Sequence, residues 1–143
     1  MSDTPPSTAE LPASAFEGIL PDVLGFELLE IGPEVATART KVERHHQQPY
    51  GIVHGGVYAA LAETITSVAT AQAVLADGNI AVGMSNNTTF MRPVSSGTIH
   101  AEARSRHRGR TSWVWDVDMT DDDGRVCAIS RLTIAVRPAT AVR

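Results

Sequence analysis

Residues 55–76 read GGVYAALAETITSVATAQAVLA, and the reading of this stretch decides the fold. It is long, rich in alanine and free of proline, so its composition favours a helix. From Val57 to Leu75 it carries one charged side chain, Glu63. A helix with so little charge is expected to be covered on most of its sides. It also begins oddly. None of residues 51–56, GIVHGG, is Ser, Thr, Asp or Asn, so the first N–H groups of the helix are expected to lack a side-chain cap.

Gly55 and Gly56 can be read in two ways. They permit a tight loop against a sheet, or they bare backbone donors at the positive end of the helix dipole, where charge developing on a carbonyl oxygen can be held. Glu63 also has two readings. It faces solvent along a groove, or it is a functional carboxylate with a neighbour such as Ser67, which lies at i+4 on the same helix face. Gly55 and Glu63 are eight residues apart, roughly 12 Å along a helix at ~1.5 Å per residue. If both act on one substrate atom, they must come from different subunits.

Upstream, Leu24–Glu43 reads as a hairpin turning at Gly32-Pro33, and a short helical turn around Ser14–Leu20 is expected to stop at Pro21. Residues 1–13, MSDTPPSTAELPA, have the composition of a disordered tail. Residues 14–138 are then a single folded domain and 139–143 a C-terminal tail. Downstream, Ile80–Arg92, Gly97–Arg108, Arg110–Thr120 and Arg125–Arg137 are strand-like runs. They are separated by turn signals at 93–97, at Gly109 and at the DDDG of 121–124. Trp113, Trp115, Val117 and Met119 alternate with Asp116 and Asp118, which predicts one buried face. Two strands, one long helix and four strands make an α+β domain, an antiparallel sheet packed on a single helix. One helix leaves much of a wide apolar sheet uncovered, so copies are expected to associate through sheet or helix surfaces.

The 143 residues suit one domain, and 43% hydrophobic with 20% charged residues is ordinary for a globular chain. A formal net charge of −4 argues against a general nucleic-acid binder. The lone Cys127 excludes an internal disulfide and fits a cytoplasmic protein. No uninterrupted apolar run reaches ~18 residues and the N-terminus lacks the order of a signal peptide, so neither a membrane partner nor export is expected. His45, His46 and His54 lack the spacing of a metal site, and no metal or other cofactor is predicted. Cys127 reads as core, and Ser67 lacks a Gly-x-Ser-x-Gly setting. Arg104, Arg106, Arg108 and Arg110 recur every second residue. They form either a solvated outer face or a phosphate-binding edge, with Gly109 placed to break the register. Phe90 and Met84 either line a pocket or belong to the core.

The combination Gln48-x-x-Gly51-x-x-His54-Gly55-Gly56, followed by Glu63 and Ser67, resembles the hotdog-fold acyl-CoA thioesterases. It is most similar to the branch of 4-hydroxybenzoyl-CoA thioesterase and PaaI-type enzymes that carry glutamate on the helix. The resemblance runs from about Leu24 to Val136 and includes FMRPV at 90–94 and HRGRTSWVW at 107–115. It implies a hotdog fold, a homo-oligomer (a dimer or a dimer of dimers), and hydrolysis of acyl-CoA, with an aromatic or medium-length acyl group. Glu63 would be nucleophile or general base, and the Gly55 N–H would polarise the carbonyl. Gln48 and His54 would position substrate or loop, and Ser67 would orient water. Arg92, Arg110 and Thr111 would meet the nucleotide end of CoA, although relatives carry a hydroxyl residue where Arg110 stands. Two other readings remain open: a non-catalytic acyl-CoA-binding module, and a hotdog enoyl-thioester dehydratase or isomerase. The latter would use His with Asp rather than a helix glutamate.

Overall fold

Helix α2 spans Gly55–Val74 and tightens into a 3-10 turn at Leu75–Asp77. Both belong to the computed structural model, which describes residues 12–141. The tail readings for 1–11 and 142–143 lie outside the described residues. Gly78, at φ +74°, ends the turn in the left-handed conformation that glycine adopts without strain. Strands β1 (Glu27–Ile31) and β2 (Val35–Lys41) precede the helix. β3 (Asn79–Phe90), β4 (Thr98–Arg108), β5 (Ser112–Thr120) and β6 (Val126–Pro138) follow it. All six join one antiparallel sheet in the order β1-β2-β4-β5-β6-β3. β2 and β4 are neighbours in the sheet, yet the chain between them forms α2 and the far edge strand β3. The helix is thereby held in the concave side of the sheet, as an α+β domain with a wrapped helix requires.

Trp113, Trp115, Val117 and Met119 face the helix and are buried, as their alternation predicts. They meet Leu61, Ile65 and Ala69 of α2 and Leu132 and Ile134 of β6 in one core. The indole N–H of Trp115 donates to Thr70 Oγ1 at 2.9 Å, so the largest core side chain keeps its hydrogen bond. Cys127 lies in this core, where its thiol donates to the Met119 carbonyl and burial raises its pKa.

Three expectations change. Pro21 starts a helix instead of stopping one. A 3-10 turn occupies Ala13–Phe16, and a separate short helix α1 runs Leu20–Val23 with Pro21 in its first turn, where the missing N–H costs nothing. The C-terminal tail begins with a 3-10 turn at Ala139–Ala141, pinned by a bond from the Ala139 N–H to the Gly78 carbonyl. The helix is also more membrane-like in bulk than unbroken apolar runs suggest. Gly55–Asp77 reaches a mean hydropathy of 1.3 over its most apolar 18 residues. Ten residues of α2 are buried inside the domain, which accounts for that character as a core helix.

The arginine alternation does not survive as one face. A bulge in β4 between Ser105 and His107 shifts the register at Arg106. Arg104 pairs with Glu102, Arg106 with Asp116 and Arg108 with Glu34. Arg104 and Arg106 lie on the solvated outer face beside these carboxylates, whereas Arg108, opposite Trp113, lies on the helix side with Gln72 and Ala73 of α2.

Candidate active site

The start of α2 is not uncapped. His54 is its N-cap, and the imidazole Nδ1 accepts the Gly56 N–H at 2.8 Å. A histidine can replace the usual Ser or Asp because a neutral ring nitrogen is an acceptor placed at similar reach. The Gly55 N–H, one residue earlier, has no hydrogen-bond partner among the described residues. The free donor is therefore one specific amide, with its neighbour already occupied.

Around that amide lies an open cleft of about 680 Å³, lined by Gln48, His54, Gly55, Tyr58, Phe90 and Arg92 among others. Phe90 lies directly on Gly55. A Cβ added there would come within 2.6 Å of the Phe90 ring, so only glycine allows the aromatic side chain this close. Gln48 is engaged in its own turn. Its N–H bonds the Ile52 carbonyl, its carbonyl accepts the Gly51 N–H, and its side-chain oxygen accepts the Tyr50 N–H. Gly51, at φ +78°, gives that turn its left-handed corner. Tyr50 projects from the tip and is 90% exposed, the most exposed large side chain of apolar character in the described chain.

Glu63 sits elsewhere. It is exposed, two turns along α2, and packs against Gly83 of β3, where an added Cβ would stand 3.3 Å from its carboxyl carbon. Ser67 is half-buried one turn further on, and no hydrogen bond joins it to Glu63 among the described residues. Gly83 faces the helix, and so does Asn86, whose side-chain amide donates to the Ala59 carbonyl. Two residues three apart share a face because a bulge at Met84, between Gly83 and Ser85, inserts one extra residue. Phe90 covers Gly55 at one end of β3, and Gly83 supports Glu63 towards the other.

The expected CoA contacts separate in the same way. Arg92 follows β3 and lines the cleft. Arg110 and Thr111 form the β4–β5 turn, where the Thr111 carbonyl accepts from Val136 N–H and Arg137 Nη1. Val136 pairs with Ala81, whereas Phe90 pairs with Ala128, so Thr111 stands at the opposite end of β3 from Arg92. Neither Arg92 nor Arg110 enters an ion pair among the described residues. No group of three or more potential metal-ligating side chains occurs among the described residues. Gly83 and Tyr58 were missed by the sequence reading. A glycine inside a strand is the signal that could have found Gly83.

An antiparallel sheet of six strands wrapped around one long helix is the architecture of the hotdog class. The chain belongs to the thioesterase superfamily, whose family model matches residues 50–128, more than half of its length. The proofreading thioesterase EntH of Cronobacter turicensis is 37% identical over 119 residues, covering 83% of this chain and 86% of the relative. Among solved structures, a variant of thioesterase PA1618 from Pseudomonas aeruginosa superposes with a TM-score of 0.83 at 35% identity, covering 87% of this chain and 90% of that one. Thioesterase HI1161 from Haemophilus influenzae superposes with a TM-score of 0.82, also at 35% identity, covering 88% and 87%. The fold is the hotdog fold, and the chain's relatives support acyl-thioester hydrolysis as its general chemistry.

Proposed function

We propose that this chain hydrolyses acyl-CoA thioesters in a site shared by two copies paired along β3, in the manner of the 4-hydroxybenzoyl-CoA and PaaI-type branch. The observation that carries the reading is the layout of β3. It is an edge strand of 12 residues without a charge, whose outer backbone groups have no strand partner in one chain. Such an edge is a template for pairing with another strand. Antiparallel pairing of two copies, centred near Asn86, sets the Gly83 end of one β3 against the Phe90 end of the other. Glu63 of one copy then approaches Gly55 of its partner. The partner's Arg92 comes level with Thr111 and Arg110. The groups that one protomer separates are gathered into one site.

The solvent-facing side of α2 supports the same pairing. Gly56, Ala60, Thr64, Ser67 and Ala71 are small, and none is fully buried in one chain. Two such helices can lie close together where the β3 strands meet.

In this site the Gly55 N–H donates to the thioester oxygen, and the dipole of α2 favours the negative charge that develops there. Glu63 of the partner copy attacks the carbonyl carbon, or takes a proton from a water that does so. The C–S bond then breaks, and the CoA sulfur leaves and is protonated. Attack by water gives the free acid directly, whereas attack by Glu63 leaves a mixed anhydride that a water hydrolyses to the free acid, restoring the carboxylate. Gln48 and His54 hold the loop bearing Gly55, and Ser67 orients the water. No cofactor takes part, because the amide and the carboxylate suffice to polarise and to attack. The acyl group proposed is aromatic or of medium length. The chain works in the cytoplasm as a dimer or a dimer of dimers.

Thiol release from benzoyl-, phenylacetyl- and aliphatic CoA esters tests the assignment. Glu63→Gln is expected to lose at least ~10²-fold in rate, as removal of an essential base or nucleophile does. Near-full turnover by that variant refutes the role of Glu63. Tight CoA-ester binding without turnover by the unaltered chain would favour a binding module instead.

A further inference from the structure

We infer that His46 is the positioning residue that sets the oxyanion loop, acting through its ring on the turn and through its carbonyl on His54. This rests on the proposed role of Gly55. His46 is the one buried residue of the 3-10 turn Arg44–His46, with 2% of its surface exposed, and it is flanked by exposed Arg44 and His45. A polar ring buried in an otherwise solvated turn needs partners for both nitrogens. It has both. Nδ1 accepts the Glu43 N–H at 2.9 Å, and Nε2 lies 2.6 Å from the Leu24 carbonyl. A carbonyl only accepts and a backbone N–H only donates, so Nε2 carries the proton and Nδ1 does not. The ring is fixed in one tautomer and one orientation.

Those bonds join three distant segments. Leu24 precedes β1, and its carbonyl also accepts from Thr40 Oγ1 of β2. Glu43 follows β2, and its carbonyl accepts the His46 N–H at 3.0 Å, so the two residues are bonded in both directions. With the turn locked, the His46 carbonyl accepts the His54 N–H at 2.8 Å. His54 then caps α2 through Gly56 and leaves the preceding Gly55 N–H free. The ring thus tethers the loop at one end while its own backbone oxygen fixes the residue that selects the free donor. A shift in the turn passes to Gly55 through two hydrogen bonds, with no contact between His46 and substrate.

Amide variants separate the two ring contacts. Asn places an oxygen near the Nδ1 position and can keep the Glu43 bond, whereas Gln reaches towards Leu24 and gives that bond up. His46→Ala is expected to lower kcat by about 10-fold or more, since misplacement of a reacting group by ~1 Å costs up to ~10²-fold. KM should stay within about 3-fold, because the CoA-binding side chains are not moved. His46→Asn is expected to restore most of kcat and His46→Gln little of it, with all three compared at equal folded fraction by circular dichroism. A folded His46→Ala chain that keeps kcat within about twofold overturns the inference. So does a kcat loss that follows melting temperature alone across Ala, Asn and Gln, for that is a purely structural role. Should Ala fail to fold, the Asn-against-Gln contrast decides the matter. Glu63→Gln runs beside them. If it abolishes turnover while the His46 variants do not touch kcat, only the loop assignment fails. If it leaves turnover intact, the site reading fails, and the kcat contrast of the His46 series still reports whether this loop governs the reaction.

Discussion

The two edges of the sheet answer the same problem in opposite ways. β1 has five residues, its register slips between Leu28 and Ile31, and Glu27 is clasped by Arg39 of β2 through bonds of 2.7 and 3.0 Å. That guanidinium holds the Glu27 carboxyl below its ordinary range. A short, irregular, charged edge discourages pairing with another strand. β3 is more than twice as long and uncharged, and it exposes Val82, Met84 and Phe90. One edge is closed to partners and the other is left open, so strand pairing between copies is expected at β3 and not at β1. The open edge is also the one that packs against both halves of the candidate site, Phe90 on Gly55 and Gly83 on Glu63.

The largest expected effect comes from closing the open edge. Val82→Lys combined with Met84→Lys gives β3 the charged character of β1. Both side chains are about half exposed, so the fold of one chain tolerates the change. The double variant should elute as a monomer in light-scattering chromatography and lose turnover by ~10²-fold or more, matching Glu63→Gln. Glu30→Lys on β1, an exposed position, is the counterpart. It should leave both mass and turnover unchanged, with stability within about 0.5 kcal/mol. A monomer that stays active would remove the shared site altogether.

Much of this layout was legible in the sequence. The period-2 burial of Trp113 to Met119 and the low charge of 57–75 gave the sheet and its central helix, because burial acts on side chains that the sequence lists directly. The separation of Gly55 and Glu63 along α2, roughly 12 Å, was legible too, because helix rise is fixed. What escaped depended on backbone paths. Histidine as an N-cap is visible only when its ring folds back on Gly56. Gly83 and Asn86 face one side only because of the bulge at Met84, and a second bulge at Arg106 broke an arginine pattern that looked continuous. Nor could strand order be read locally, and it is strand order that sends Arg92 and Thr111 to opposite ends of β3.

Gly83→Ala probes the same edge more gently. Its added methyl would meet the Glu63 carboxyl group at 3.3 Å, and Glu63 is exposed and free to swing aside. Gly83 does not have positive φ among the described glycines, so alanine fits the strand backbone without strain. Stability should hold or rise slightly, since alanine loses less chain entropy on folding. Turnover should fall by about 10-fold, because a small displacement of the attacking group is costly. Stability lost without loss of rate would show that Gly83 serves packing and leaves Glu63 unconstrained.

The smallest effect separates the two ends of α2. Near its C-terminal end the buried Trp115 N–H is matched by Thr70, whose hydroxyl in turn donates to the Thr66 carbonyl. Near its start, Tyr58 is buried beside Phe90 and its hydroxyl has no hydrogen-bond partner among the described residues. Burial, with Cys127 nearby, pushes the phenol well above its ordinary pKa, so it stays neutral. A buried hydroxyl without a partner carries a desolvation cost, and removing it is nearly neutral or stabilising, by about 1 kcal/mol at most. Tyr58→Phe is therefore expected to keep or raise the melting temperature, by no more than ~4 °C for a domain of this size. Thr70→Val, which orphans the indole, should lower it. A protein that satisfies its polar groups at the structural end of a helix and leaves one unmatched beside the cleft follows the usual pattern in which local rules yield at functional sites. A clear destabilisation by Tyr58→Phe would mean that this hydroxyl is bonded in the assembled protein, and that the contrast between the helix ends lies elsewhere.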